Sequence, residues 1–506
     1  MSFTSVANLY ICKLLYPRLY AFHCGTQLKT KKASIPKELQ EQLLDAEKLK
    51  YCFECGICTA SCPMMELASN HYNPRILLET IFLDPEKILT TSDIWLCGWC
   101  YRCHKRCPQK LKPPEILLLV KKLAVEKGYL EGFQNAADII GKTIPLAESC
   151  YYICFHPERT KISKEQFENV LKKIIESRKQ IPKKTPELRD EKIAIIGSGP
   201  AGLTTAYELA RKGYKATVFE AFPEIGGMLR YGIPEQRLPR KALENDVEYV
   251  KSFGVEFKLG TGLGKDLTIE QLQREGYKAI FIAVGALKSR LIGCEGEELQ
   301  GVSCALDLLR EIKSGKEVKI GKRVAVIGGG NVAIDAARTA FHNGAREVTI
   351  LYRRTREEMP ANPWEAKEAE EEGVKIEFLL APTKFLGKDG HVVGVELVKI
   401  ELGEPDETGR GKPVPIQNSN FIKDFDMVIL AVGEAVDTSF LPKEVELSDI
   451  NTIWADPITM ETTMEGVFAG GDAVIGPSSV MEAMVAGKKA ASSIDRFLRG
   501  GQKRIE

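Results

Sequence analysis

Apolar residues fall into two kinds of pattern along this chain. Beyond residue 190 they come in short unbroken runs: Ile193–Ile196, Ala216–Phe219, Ala279–Val284, Val324–Ile327, Val348–Leu351 and the stretch 426–432. Runs of this length without polar alternation predict strands buried on both faces, as in parallel sheets with helices between them. Before residue 160 the apolar residues recur at helical spacing instead. Such stretches are Pro36–Lys50, the segment entered through Pro74 and ending at Phe82, and Glu115–Leu123 after Pro114. A charged, Pro-bounded run from Lys161 to Glu191 joins the two regions as helix and linker. The pattern predicts an α/β protein with an all-α portion in front.

The first long run leads into Gly197-Ser-Gly199-Pro200-Ala201-Gly202, then a helical pattern, then a second strand ending on Glu220. Strand, glycine turn, helix, strand and terminal acid together make a dinucleotide site. Gly197 permits the tight turn, Gly199 lets the backbone approach a pyrophosphate, and Gly202 lets the helix lie close on the sheet. The helix N-terminus faces the phosphates, and the Glu220 carboxylate can accept from ribose hydroxyls. The motif recurs as Val324-Ala-Val-Ile-Gly328-Gly-Gly330-Asn331-Val332-Ala333, which indicates duplication of the fold. Here the second strand is followed by Tyr352-Arg353-Arg354, with no acid at its tip. A carboxylate would repel a 2′-phosphate, whereas paired guanidiniums bind it as a fork, with Arg356 in reach to assist. This predicts NADP(H) at the second site, with a surface Arg pair and use of NADH as the alternatives. Gly285 and Gly433 end two of the strands and predict close backbone approaches.

Two cysteine runs share one design: Cys52-x2-Cys55-x2-Cys58-x3-Cys62-Pro63 and Cys97-x2-Cys100-x2-Cys103-x3-Cys107-Pro108. This is the two-cluster ferredoxin pattern, in which the fourth cysteine ligates the other cluster. It predicts one [4Fe–4S] centre on Cys52, Cys55, Cys58 and Cys107, and another on Cys97, Cys100, Cys103 and Cys62. Zinc sites usually offer separated Cys-x2-Cys pairs rather than four-cysteine runs. His71 and His104 lie near these ligands and read as supporting or surface residues. Cys12 and Cys24 have no ligand spacing.

With the Asn-Pro-Arg75 segment between them, the two runs resemble the helical ferredoxin of heterodisulfide reductase electron-transfer subunits over roughly residues 45–130. The first fingerprint and its continuation, Gly226-Gly227-Met228-Leu229-Arg230-Tyr-Gly-Ile-Pro-Glu-Gln-Arg237, resemble the glutamate synthase small subunit family over about residues 143–500. That resemblance implies FAD at the first site, with Gly227, Met228, Leu229 and Arg230 along the flavin. The motif Gly470-Gly471-Asp472 resembles two-dinucleotide flavoproteins, which implies that Asp472 holds the ribityl chain and that a helix over 478–491 points at the flavin. The stretch 143–158, with Cys150 and Cys154, resembles the end of the family's cluster-binding region. Glu158 stands where a further cysteine is expected, so the stretch reads as a remnant packed between domains, a third cluster being the alternative.

The implied organisation begins with a basic leader (1–36), a helical ferredoxin (37–142) and a linker with the remnant (143–190). A split FAD domain follows, its leading segment (191–287) and its closing segment (436–506) flanking an inserted NADPH domain (288–435). The implied function is transfer of electrons from NADPH through FAD and two [4Fe–4S] clusters to a redox partner protein, as in a glutamate synthase small subunit. The alternative is the NADPH-linked subunit of a heterodisulfide reductase-like or ferredoxin-linked complex, working in either direction. No side chain is assigned as a general acid or base, since the cofactors do the chemistry.

Composition narrows the classes further. The 506 residues suit two to four domains, and a net charge of +1 gives no electrostatic footprint for nucleic acid. No apolar run reaches the length of a membrane span. Eight of 14 cysteines lie in the two runs, which points to metal in a reducing, cytoplasmic setting rather than to disulfides. The acid-free leader reads as an organelle presequence or an over-extended reading-frame start; the latter is preferred, as nothing else calls for an organelle.

Overall fold

The computed structural model describes Leu49, Cys52 and residues 54–68, 71–181, 188–406 and 409–500. The basic leader, Cys12, Cys24 and nearly all of the 36–50 stretch lie outside the described residues.

The N-terminal region is helical. Helix Pro74–Leu83 starts where Pro74 fits the first turn, and the Asn73 side chain caps it by accepting from the Arg75 and Ile76 N–H groups. The same Asn73 oxygen accepts from the Thr59 hydroxyl at 2.8 Å, which ties this helix to the first cysteine run. Helix Pro113–Glu126 buries Ile116, Leu117, Val120 and Leu123, the face set by their spacing. Helices Glu131–Thr143, Ala147–Ile153 and Lys164–Lys179 follow, the last opened by a Ser163–Gln166 capping box.

A buried ionic joint fastens these helices to the next module. Arg178 bonds Asp246 at 2.6 Å, the Pro145 carbonyl at 2.7 Å and Glu148 at 3.2 Å. Asp246, on helix Arg240–Lys251, also accepts from the Glu148 and Ser149 N–H groups. With both oxygens accepting from N–H donors, one of them cationic, a fully desolvated carboxylate is tolerated.

Two parallel five-stranded sheets follow. The first runs Val467–Ala469, Tyr277–Ile282, Lys192–Ile196, Lys215–Glu220, Glu256–Leu259. The second runs Val302–Cys304, Met427–Leu430, Arg323–Ile327, Glu347–Tyr352, Lys375–Phe378. The central apolar runs are buried at nearly every position, as strands covered on both faces require. Val467–Ala469 comes from the far end of the chain and pairs with Tyr277–Ile282, so the first sheet is split around the second. Lys288–Ser289 and Glu434–Ala435 pair antiparallel where the chain leaves the first module and returns to it. An antiparallel sheet of Leu380–Lys388, His391–Pro405, Gly411–Pro415 and Phe421–Lys423 is appended to the second module; its strands mix buried and exposed positions and so carry no long unbroken apolar run. No helix of the described residues is long and apolar enough to cross a membrane.

Candidate functional site

The two fingerprint turns are built alike. Gly197 takes φ +103°, and a Cβ there would lie 2.4 Å from the Ala283 carbonyl oxygen. Gly328 takes φ +144°, and a Cβ there would lie 2.1 Å from the Ala431 carbonyl oxygen. Only glycine fits either turn. Gly202 has its Cβ position 2.0 Å from the Gly197 carbonyl oxygen, so helix Pro200–Ala210 lies hard against the turn; the buried Ala333 takes that place in helix Asn331–His342. Gly199, Gly330 and Gly285 meet nothing within 4 Å of a Cβ, and Gly433 meets only the Arg290 side chain, at 3.9 Å. All four line one large cleft, together with Pro200, Ala201, Asn331 and Val332 at the two helix N-termini. Open backbone and helix-end N–H groups on a cleft wall form a cradle for pyrophosphate, so the residues fit two dinucleotides.

Glu220 also lines the cleft, held from behind. One carboxylate oxygen accepts from the Ser198 N–H and hydroxyl, and the other from the Phe222 N–H. Ser198, which carries no signal of its own in the sequence, also accepts from the Gly226 N–H at 2.9 Å. Its hydroxyl thereby joins the turn, the acid and the Gly226–Gly227 pair. Gly227 (φ +53°) packs so closely that a Cβ would stand 2.7 Å from the Gly199 Cα. Met228 and Leu229 line the cleft, whereas the Arg230 guanidinium does not. It folds back to the Ile225 carbonyl and to Glu224 at 3.2 Å, because a buried cation needs a partner. Gly471 packs on Ala201, and Asp472 accepts from the Ser478 hydroxyl at 2.6 Å while desolvation raises its carboxyl above the usual range. The last helix spans Val480–Leu498 and turns its Ser479–Glu482 capping box to the same cleft.

At the second site the two arginines have different surroundings. Arg353 is exposed and lines the cleft. The guanidinium of Arg354 is buried, bonded to Asp406 at 2.6 Å and to the Gly411 carbonyl at 2.9 Å, and Arg356 is paired with Glu370. Arg354 lines the cleft beside Arg353 all the same, so both expected arginines stand at this site, one of them held by Asp406 just past the long strand of the appended sheet. Arg410, close to Tyr352, is a further basic residue on the cleft wall.

The two cysteine runs adopt one backbone. Glu54 and Trp99 share left-handed φ angles of 49° and 47°, and Gly56 and Tyr101 are both left-handed residues that open a helical turn. Cys52, Cys55, Cys58 and Cys107 surround one small cavity with Arg75, Leu78 and Leu111. Cys62 lies with Cys97, Cys100 and Cys103, each close enough to disfavour ionisation of its neighbours. Burial pushes the Cys100 thiol up to about 11, and those of Cys62 and Cys103 further. Four thiols in each set are a donor type suited to a thiophilic centre, although among the described residues no group of three or more stands close enough to hold a metal ion as it is. Cys55 of the first set is exposed, and the second set is the more buried. His104 bonds the Leu111 carbonyl at 2.8 Å, and His71 is exposed.

The second run abuts the dinucleotide cleft. Gly98, Trp99, Cys100 and Arg102 line its wall, Gly98 packs against Met481, and Arg102 pairs with Glu482 at the start of the last helix. Cys150 and Cys154 are buried one helical turn apart, with Cys154 on the cleft wall near Cys100. Glu158 pairs with His156 at 3.1 Å.

Comparison with known proteins agrees with this geometry. Pyridine nucleotide-disulphide oxidoreductases match over residues 191–490, and a 4Fe-4S dicluster domain matches over 48–111. The NADPH-Fe(3+) oxidoreductase subunit beta of Geobacter sulfurreducens is 37% identical over 90% of this chain and 72% of its own length. The NADP(+)-dependent formate dehydrogenase subunit beta of Moorella thermoacetica is 48% identical over 62% of this chain, which spans only 44% of that subunit. The glutamate synthase [NADPH] small chain of Halomonas elongata is 39% identical over 61% of this chain and 68% of its own length. In fold, FprA from Mycobacterium tuberculosis superposes with a TM-score of 0.53 at 19% identity, over 63% of this chain and 88% of its own. The chain belongs to the pyridine nucleotide-disulphide oxidoreductase family, is similar to glutamate synthase small chains, and carries a 4Fe-4S dicluster domain in front.

Proposed function

We propose that this chain oxidises NADPH and delivers the electrons, through FAD and two [4Fe–4S] clusters, to a partner protein or subunit. Bound FAD supplies the conversion of a hydride into single electrons, and each cluster carries one electron at a time. The observation that carries this reading is the Gly98–Arg102 segment on the same cleft wall as both fingerprints. Cys62, Cys97, Cys100 and Cys103 would hold the cluster on the flavin side, and Cys52, Cys55, Cys58 and Cys107 the one beyond it.

Gly197, Gly199, Gly202 and Glu220 would hold the FAD pyrophosphate and ribose, with Gly227 and Asp472 beside the flavin. Gly328, Gly330 and the helix end at Asn331 would hold the NADPH pyrophosphate, and Arg353 would meet its 2′-phosphate. Relatives named as subunits or small chains support a partner that completes the reaction.

A second reading concerns that partner. The relative matching nine-tenths of this chain is named an NADPH-Fe(3+) oxidoreductase subunit, which favours a metal-reducing or ferredoxin-linked complex over one that forms glutamate. In the purified protein under anoxic conditions, NADPH should bleach the flavin and generate the electron paramagnetic resonance of reduced clusters within turnover time. Flavin reduction with no cluster signal would sink the proposed route. Mass spectrometry of what co-purifies anoxically separates the two partner readings.

A further inference from the structure

The segment after Gly227 borders the flavin side of the cleft and also reaches across to the nucleotide-binding module. Lys313, at the end of helix Ala305–Lys313, donates to the Ile233 carbonyl at 2.7 Å. Arg310 of the same helix lies 5.2 Å from the centre of the Phe222 ring. The densest contact is Arg237. Its Nη1 bonds both carboxylate oxygens of Asp335, at 2.7 and 2.6 Å, and its Nη2 bonds Glu365 at 2.7 Å. Asp335 stands on helix Asn331–His342, which carries the second fingerprint, and Glu365 in the first turn of helix Pro363–Glu372. Both carboxylates are buried, Glu365 with 1% exposure. Two desolvated acids around one guanidinium form a rigid, directional joint, since removing the cation leaves both uncompensated.

Helix Pro363–Glu372 is gripped from its other side as well. Arg159 lies 3.2 Å from the centre of the Trp364 ring and pairs with Glu368 at 2.6 Å, and Trp99 and His156 pack on the same ring. By contrast, where the two chain segments cross between the modules they pair through only two residues each, Lys288–Ser289 with Glu434–Ala435. Beyond this pairing, the Arg290 N–H and guanidinium bond the Gly433 and Glu434 carbonyls. So narrow a crossing is a natural hinge, and side-chain contacts between the modules add to what sets their orientation.

We propose that Arg237 is a positioning residue: seated between Asp335 and Glu365, it fixes the nucleotide-binding module in the orientation that presents NADPH to the flavin side of the cleft. This rests on the proposed NADPH-to-FAD reaction. Neither carboxylate is called on to exchange protons with substrate. Their work is to hold Arg237 and, through it, the fingerprint helix, since donor and acceptor rings must meet within contact distance for hydride transfer.

The test uses the full chain with FAD and clusters loaded. Anoxic stopped-flow gives the limiting rate of flavin reduction and the half-saturating NADPH concentration. Hydrogen–deuterium exchange is followed over residues 286–291 and 432–436. For Arg237→Met the limiting rate should fall about tenfold or more. The half-saturating concentration should change less than about threefold, exchange at the joint should rise, and dithionite should still reduce the flavin. Arg237→Lys, which keeps the charge without the fork, should recover some of the rate. Glu365→Gln, which leaves the Asp335 arm in place, should show a smaller loss with the same exchange signature. It carries the test if Arg237→Met does not fold. A wild-type limiting rate in these variants, or a rise confined to the half-saturating concentration, would overturn the proposal. If wild-type flavin is not reduced by NADPH at all, the reading of function fails instead.

Discussion

Substituting valine for Gly330 separates the nucleotide site from the fold that carries it. Gly330 has φ −89° and ψ 174°, ordinary extended backbone, and a Cβ there meets nothing within 4 Å. Gly330 is the N-cap of helix Asn331–His342, where valine is less favourable than glycine, so the folded protein should tolerate the side chain at a cost of about 1 kcal/mol. The space it fills lies at the end of helix Asn331–His342. There the Ala333 and Ile334 N–H groups already bond the Gly330 carbonyl, which leaves those of Asn331 and Val332 to face a phosphate. A hydrogen bond to a charged group contributes about 1.5–3 kcal/mol, so losing both costs about 3–6 kcal/mol. That is a weakening of NADPH binding by about two to four orders of magnitude. The assay is flavin content, thermal midpoint, and anoxic titration of flavin reduction with NADPH, with dithionite as the control. Gly330→Val should keep its FAD and nearly its full midpoint, reduce normally with dithionite and need far more NADPH. Gly202→Val, whose Cβ would lie 2.0 Å from the Gly197 carbonyl oxygen, should instead lose both flavin and stability. Wild-type NADPH saturation in Gly330→Val, or joint loss of FAD and stability, would refute the assignment of that open space to the nucleotide.

The arginines at the end of strand Glu347–Tyr352 should diverge. Arg353→Ala should lower the preference for NADPH over NADH about tenfold with the midpoint unchanged, whereas Arg354→Met should cost about 1–3 kcal/mol of stability by removing the guanidinium bonded to Asp406 and the Gly411 carbonyl, as read by denaturant unfolding. Cys62→Ser should abolish the resonance of the cluster on the flavin side and stop dye reduction beyond it, while Cys52→Ser should leave that cluster reducible by NADPH; equal effects of the two would contradict the separation of the sets. Glu365 should add a pH dependence to stability. Burial raises its carboxyl from 4.5 to about 7, with Asp335 adding to the shift and Arg237 opposing it. A raised folded-state value means that the native state holds its proton longer than the unfolded chain, so stability present below about pH 4.5 is lost as pH rises to about 7, by about 3 kcal/mol at most. Glu365→Gln should flatten that region of the melting profile, and an unchanged slope would show that the group does not titrate there.

The glycine positions were legible in the sequence because their constraint is local. Gly197 and Gly328 are fixed by a strand, a turn and a helix within one short stretch, and the cysteine runs by the repeat of one spacing. The last helix runs to Leu498, past its expected end, since its apolar face continues through Ile494. Charged residues were another matter. Arg353 and Arg354 follow the second strand of the second fingerprint and Arg230 follows the Gly226–Gly227 pair, so the sequence offers all three to a cofactor. The fold assigns Arg354 to an aspartate 52 residues away and Arg230 to its own loop, while Arg237, read only as a member of a motif, finds Asp335 at a separation of 98. An arginine is long enough to serve either a phosphate or a carboxylate, and once buried it takes whichever anion shares its pocket. Glycine is read from the space it leaves, and an arginine only from the acid that reaches it. The Arg237 joint was hidden from sequence for that reason: its partners come from two helices of the other module, and only their packing brings both acids to one guanidinium.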